Sequence, residues 1–414
     1  MAKDTKLKAM VDRISELPDE LLSHILSFLP LNFAYTTGLI SKRWKTLCKL
    51  MIDLHFDDKL VKGEEEFQRF GRCVDKVMLS PDMNNQPIRG FHLNCCHPEL
   101  LLFDYDQWIE AAKLRGVQDL QLQLSVFPFK TAYEMSKWES RTKSMEDKFI
   151  SVAPNNIFSC RTLVILKLER LCVAGNILSV HLPLLKTLHL KSVYLQNSDN
   201  LKKLISKSLV LEDLYVMVGY KERASIPLAR VDKGPFHVLF KAVYHNLQFL
   251  RLDVKRPNEK ILSYFKDSLV FRNLIQLDLV FEFFYGWDDL KDMLQNCPNL
   301  EVLLIHEEII PKLQDIVIGC EWTVDVRNGF YTIWKSPNFV PKCISSRLRY
   351  CTLTYEGMED SLRFAEYVLQ NARLLQVMTV KTTMFTRSVY HQKILDELNS
   401  CPKISPFCKL SIEL

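Results

Sequence analysis

LVILKLERL at residues 163–171 and LKTLHLKSV at residues 185–193 are two copies of one pattern. Leu163, Leu166, Leu168 and Leu171 have the spacing L-x-x-L-x-L-x-x-L, and Leu185, Leu188, Leu190 and Val193 match it position for position, 22 residues on. Shorter copies follow at Leu211, Leu214, Val216; Leu247, Leu250, Leu252; Leu274, Leu277, Leu279; and Leu300, Leu303, Ile305. Weaker ones precede, at Ile88, Phe91, Leu93 and Val117, Leu120, Leu122. In L-x-L the two leucines alternate with polar residues, so they occupy one face of a short strand. One such unit cannot bury its leucines, whereas a stack of parallel units joined by return segments can. WDDLKDMLQNCPNL at 287–300 reads as a return segment: a short amphipathic helix, a turn at Cys297–Pro298, then the next strand.

Most of these steps fall in the range of leucine-rich repeats, which the pattern resembles. Regular members of that class carry Asn or Cys three positions past the last leucine of L-x-L. Here those positions are Leu171, Val193, Gly219, Lys255, Glu282 and Glu308. The polar ladder is missing there, and the expectation is an irregular, gently curved solenoid.

Two amphipathic helices precede the repeats. In ISELPDELLSHILSFLP at 14–30, Pro18 suits the start of a helix and Asp19 and Glu20 suit its positive end. Leu21, Leu22, Ile25, Leu26 and Leu29 form one apolar stripe, and Pro30 ends the helix. Phe33, Thr37, Ile40, Trp44 and Leu47 form a second stripe. About forty residues cannot bury both alone. LPDELLSHILSFLP followed by LISKRWKTLC resembles an F-box, the helical module that docks a Skp-family adaptor of a cullin-RING ubiquitin ligase. The resemblance implies adaptor contact through Leu17, Pro18, Leu21, Leu22, Ile25, Leu26 and Trp44. The chain departs from it at Tyr35–Gly38, where these modules often carry small apolar residues.

From about residue 320 the sequence resembles the FBD region that ends many plant F-box/leucine-rich-repeat proteins. Trp334, Pro337, Val340–Cys343, Glu356–Gly357, the helix around Phe364–Asn371 and the Cys401…Cys408 segment carry the likeness. Leu348, Cys351, Leu353 and Leu375, Met378, Val380 repeat the strand spacing, Glu359–Gln370 supplies a helix, and FCKLSIEL supplies a last strand. The expected architecture is α/β: an F-box over 12–52, a repeat solenoid over 70–318 with parallel strands on its concave face and helices on the convex one, and an FBD-like region over 320–414 that continues and caps it.

Side chains flanking the buried leucines point to the open face of the strands. Lys167, Glu169, His189, Lys191, Tyr215, Arg251, Asp253 and His306 are therefore candidate target contacts, in a row that also holds Asp213, Gln276, Asp278, Val302 and Leu304. The signs alternate, which suits a protein partner better than a phosphate. With 54 basic and 49 acidic residues the net charge is +5, too balanced to argue for nucleic acid. No apolar run approaches the length of a membrane helix. MAKDTKLKAM has no apolar core of a signal peptide, so an intracellular place, nuclear or cytoplasmic, is expected. Twelve cysteines without a C-x-x-C pair argue for reduced thiols and against zinc. No nucleophile, metalloprotease or phosphate-loop motif is present, so neither catalysis nor a cofactor is expected. These readings converge on a substrate-receptor subunit of a Skp–cullin–F-box ligase, linked to the cullin through the adaptor and holding an unidentified protein target. A ligase-independent scaffold and a ligand-assisted small-molecule receptor are the alternatives.

Overall fold

A computed structural model describes residues 14, 16–29, 34, 37, 41–49, 52–81, 86–96, 103–124, 152–195, 197, 199–220, 240–254, 269–281, 287–307, 334–355, 359–382 and 391–413. The chain divides into two compact units near residue 122.

The first unit opens with two helices, α1 (Asp19–Ser27) and α2 (Lys42–Lys49), which pack on one another. Pro18 sits at the N-cap of α1, and the acids of its first turn, Asp19 and Glu20, match the positive end of the helix dipole. Leu22, Leu26, Ala34, Trp44 and Leu47 are buried. Phe33 and Ile40 of the expected second stripe, and Pro30, lie outside the described residues. Three strands follow in order: β1 (Asp53–Asp57), β2 (Gly90–Cys95) and β3 (Asp119–Leu124). Helix α3 (Gly63–Leu79) joins β1 to β2, and α4 (Tyr105–Leu114) joins β2 to β3. Ile88, Phe91, Leu93, Val117, Leu120 and Leu122 are all at most 1% exposed, as the weak repeat copies require. One further strand, β1 with Leu54 and Phe56 inward, went unread, although Met51, Leu54 and Phe56 carry the same spacing.

In the second unit the strands lie parallel and in chain order, β4 (Ile165–Glu169), β6 (Thr187–Leu195), β7 (Asp213–Tyr220), β8 (Phe249–Val254), β9 (Gln276–Phe281), β10 (Val302–Glu307), β11 (Tyr350–Tyr355), β12 (Val377–Thr382) and β13 (Lys409–Glu413). A two-residue strand, β5 (Cys172–Val173), pairs with the end of β6. Helices fill the crossovers: α5 (Asp199–Lys207), α6 (Trp287–Gln295), α7 (Lys342–Ser346), α8 (Glu359–Asn371) and α9 (His391–Ser400). The fold is thus α/β, with N-terminal helices, leucine-rich parallel repeats and a C-terminal region that continues the same sheet through the β10–β11 pairing. The expected elements at Trp287–Gln295, Glu359–Gln370 and FCKLSIEL appear as α6, α8 and β13.

Register is set by a device repeated at the start of each strand. The carbonyl of Val164 accepts the N–H groups of Lys186 and Thr187; that of Lys186 accepts those of Glu212 and Asp213; and so on through Glu212, Gln248, Ile275, Glu301 and Arg349. Ile52 and Arg89 do the same in the first unit. Each shared carbonyl locks the next strand one leucine step along. Between β4 and β6 the in-register pairs Leu166↔Leu188 and Leu168↔Leu190 result.

Two features of the repeat were not legible in the strand spacing. First, a polar ladder exists, at the other end of the strand. Asn246, Asn273 and Asn299, each one residue ahead of the first leucine of its repeat, donate Nδ2 to the carbonyls of Leu209, His245 and Arg272 at 2.6–2.7 Å. These bonds satisfy turn carbonyls that would otherwise lack a partner. Second, the fourth apolar position, Leu171 or Val193, should face outward by strict alternation. Both are buried, because the residue before each takes a left-handed conformation: φ is +56° at Arg170 and +51° at Ser192. The register between β6 and β7 shifts at that point, between Lys191 and Val193, as a bulge does.

Leu188 and Leu277 are fully buried in separate repeats. Leu→Ala at either site is expected to cost about 2–5 kcal/mol of stability, because the cavity cannot fully collapse. Repeat neighbours share that loss. Denaturant unfolding of the single variants checks this, and an unchanged midpoint would contradict the packing.

Candidate protein-interaction site

Two surfaces stand out. The first lies on the helix pair. Helical periodicity splits the stripe of α1 into two faces. Leu22 and Leu26 turn toward Trp44 and Leu47, whereas Leu21 is 49% and Ile25 41% exposed, with Ile14 and Phe28 also exposed. His24 packs edge-on against Phe28. Of the residues expected to touch an adaptor, Pro18, Leu21 and Ile25 are exposed and Leu17 is half-exposed. Leu22, Leu26 and Trp44 are inside the helix pair, where they hold its shape rather than present a surface. Ile14 and Phe28 belong to the exposed set and were missed; the i, i+4, i+7 spacing of Leu21, Ile25 and Phe28 is the signal that finds Phe28. Arg43 clamps the pair, with Nε and Nη2 on Asp19 Oδ1 at 2.7 and 2.6 Å and Nη2 on the Leu17 carbonyl at 2.6 Å.

The second surface is the open face of the strands in the second unit. Lys167, Glu169, His189, Lys191, Tyr215, Arg251, Asp253 and His306 are half-buried or exposed there. The register aligns Lys167, His189, Tyr215, Arg251, Asp278, Leu304, Thr352, Thr379 and Ser411 in one row across nine strands. Around its middle, side-chain contacts link neighbouring strands. His189 Nε2 lies 2.9 Å from Asp213 Oδ2, and its ring packs edge-on to Tyr215. The Arg251 guanidinium lies 4.7 Å from the Tyr215 ring centroid, and its Nη1 donates to Asp278 Oδ2 at 3.0 Å. His306 Nε2 stands 3.8 Å from Asp278 Oδ1, and its Nδ1 is 3.4 Å from Thr354 Oγ1. Glu169 and Lys191 pair at 3.0 Å beside this row.

Asp278 is the centre of the row, only 4% exposed. Burial pushes its carboxyl above the usual carboxylate range, opposed by Arg251 and His306. Burial likewise raises the Tyr215 phenol. Arg251 Nε and Asp278 Oδ1 are buried without a hydrogen-bond partner, so the row has a donor and an acceptor unspent. Two aromatic residues, Phe249 at 40% and Tyr350 at 42% exposed, lie on the same face one step toward the strand starts. The sequence reading named neither, although the alternation that exposes Arg251 also exposes Phe249.

The first unit has an analogous row. His55 Nδ1 and His92 Nδ1 are 3.1 Å apart, so one ring donates and the other accepts. His92 Nε2 is 3.1 Å from Asp119 Oδ2. Burial first, then the neighbouring His92, lowers the His55 pKa. The buried thiols of Cys343 and Cys351 are pushed up to about 12 by burial and are packing groups rather than nucleophiles. Among the described residues no cluster of three or more His, Cys, Asp or Glu could hold a metal ion, and no helix is long and apolar enough to cross a membrane.

The geometry defines a class: an α/β protein of leucine-rich parallel repeats behind an N-terminal helix pair that leaves apolar side chains exposed. Comparison with known proteins specifies it. The family model described as F-box domain matches residues 14–55, FBD matches 335–380, and the LRR repeats of FBD-associated F-box protein At5g56370 match 105–232. FBD-associated F-box protein At4g10400 of Arabidopsis thaliana is 28% identical over 97% of this chain and 100% of its own length. F-box/FBD/LRR-repeat protein At4g26340 of the same plant is 28% identical over 97% and 99%. The chain is thus similar to plant F-box/leucine-rich-repeat/FBD proteins over nearly its whole length.

Proposed function

We propose that this chain is the substrate-recognition subunit of a Skp–cullin–F-box ubiquitin ligase, working inside the cell in nucleus or cytoplasm. The observation that carries this reading is the set of apolar residues Ile14, Leu21, Ile25 and Phe28, exposed on a helix pair whose Leu22, Leu26, Trp44 and Leu47 are already buried. Such a patch suits a partner helix. The Skp-family adaptor is that partner, and the cullin follows through it. Target binding falls to the open face around Tyr215, Arg251 and Asp278, where aromatic and arginine side chains combine with unspent hydrogen-bonding groups. The chain supplies no chemistry of its own. It raises the effective concentration of a target lysine near a charged carrier enzyme. The division that fits this role keeps the F-box at 12–52 and the C-terminal region at 320–414, with the repeats, expected over 70–318, between them.

The test is affinity purification of the full chain beside one lacking the first 52 residues. Adaptor and cullin should be lost on truncation while target proteins remain. Equal adaptor recovery from both would overturn the ligase reading and leave a scaffold.

A further inference from the structure

Strand β13 has a neighbour on one side only among the described residues, β12. Its inward side chains record this. Leu188, Leu190, Leu277, Leu279, Met378 and Val380 are at most 1% exposed, but Leu410 and Ile412, at the equivalent places, are only half-buried. Phe407, just ahead of the strand, is 79% exposed. The Lys409 N–H donates to the Gln376 carbonyl at 2.8 Å, so Lys409, Ser411 and Glu413 turn their backbone groups toward β12. Leu410 and Ile412 turn theirs to the open edge. Such an edge is a template for another strand.

We propose that this edge pairs with the same edge of a second copy, antiparallel and centred on Ser411. Outward backbone groups must meet outward groups, which restricts the register. Leu410 of one copy opposite Ile412 of the other closes two hydrogen-bonded pairs. That register sets Lys409 of each copy opposite Glu413 of the other, on one face of the joined sheet, so two ion pairs form at once. The neighbouring registers break these ion pairs, setting Lys409 in one and Glu413 in the other opposite Ser411. Lys409 and Glu413 are both exposed, and the Glu413 carboxylate is only loosely engaged by Lys381 Nζ at 3.9 Å. A lysine that merely blunted the edge would need no acid at the symmetry-related position. KLSIE has one.

Sedimentation equilibrium of the full chain over a concentration series tests this, with thermal melts to confirm folding. The wild-type chain is expected to dimerise. K409E and E413K each set like charges opposite one another twice, and each should weaken association about tenfold or more. The double variant K409E/E413K should restore it. A monomer at every concentration overturns the proposal. So does association unchanged by the single reversals, or a double variant as weak as the singles.

Discussion

Replacing Leu21 and Ile25 together by Asp is expected to abolish capture of a Skp-family adaptor and leave the melting temperature unchanged. Both side chains are about half exposed and lie outside the core formed by Leu22, Leu26, Trp44 and Leu47. Their loss therefore removes contact surface without opening a cavity. Burying one such side chain is worth about 1.5–3 kcal/mol. Two amount to roughly a hundred- to ten-thousandfold in affinity. Leu22→Ala is the informative contrast. It empties a fully buried site and should lower stability by about 2–5 kcal/mol, weakening capture only indirectly. A pull-down of the double Asp variant read beside its melting curve separates the two effects. Undiminished capture would mean that the exposed patch is not the docking surface.

Truncation after residue 318 is expected to give insoluble protein. The cut removes β11, so β10 loses the pairs Val302↔Tyr350 through Ile305↔Leu353 and becomes a bare parallel edge. It also strips an aromatic cluster. Trp287 on α6, now 2% exposed, packs against Trp334 and Phe364 with centroids 5.6 and 5.3 Å away, and Trp334 meets Phe364 at 4.8 Å. The Cys343 thiol donates to the Leu294 carbonyl at the end of the same helix. Exposing the apolar surface of Trp287 to water alone costs about 1.5–3 kcal/mol. The joining stretch 308–333 lies outside the described residues, but the sheet on either side of it is continuous. A soluble 1–318 fragment that unfolds cooperatively would show the C-terminal region to be an independent domain.

How these surfaces could be read beforehand differs residue by residue. The amino-acid sequence alone determined the repeat. Leucine spacing predicted buried positions from Leu163 to Ile305 and on to Val380, and all are in the core, because a period-two pattern on stacked strands has only one way to hide its apolar face. It also determined the helix pair and the outward set from Lys167 to His306. Tertiary structure decided the rest. Which leucines of α1 face Trp44 and which face solvent depends on how two short helices cross, and a stripe that broad does not say. The inward turn of Leu171 and Val193 depends on positive φ at Arg170 and Ser192, residues that carry no glycine signal. Asparagines 27 and 26 residues apart form a ladder only once the turns stack, bringing each amide to the previous turn's carbonyl. Asp278 looks like any polar strand residue in QLDLVF; its burial, which raises the carboxyl, and the cations that oppose that rise, Arg251 27 positions earlier and His306 28 later, meet only in the folded sheet. Pattern along the chain is local and fixes what faces inward. The meeting of side chains from different repeats is non-local, and only the stacked sheet brings it about.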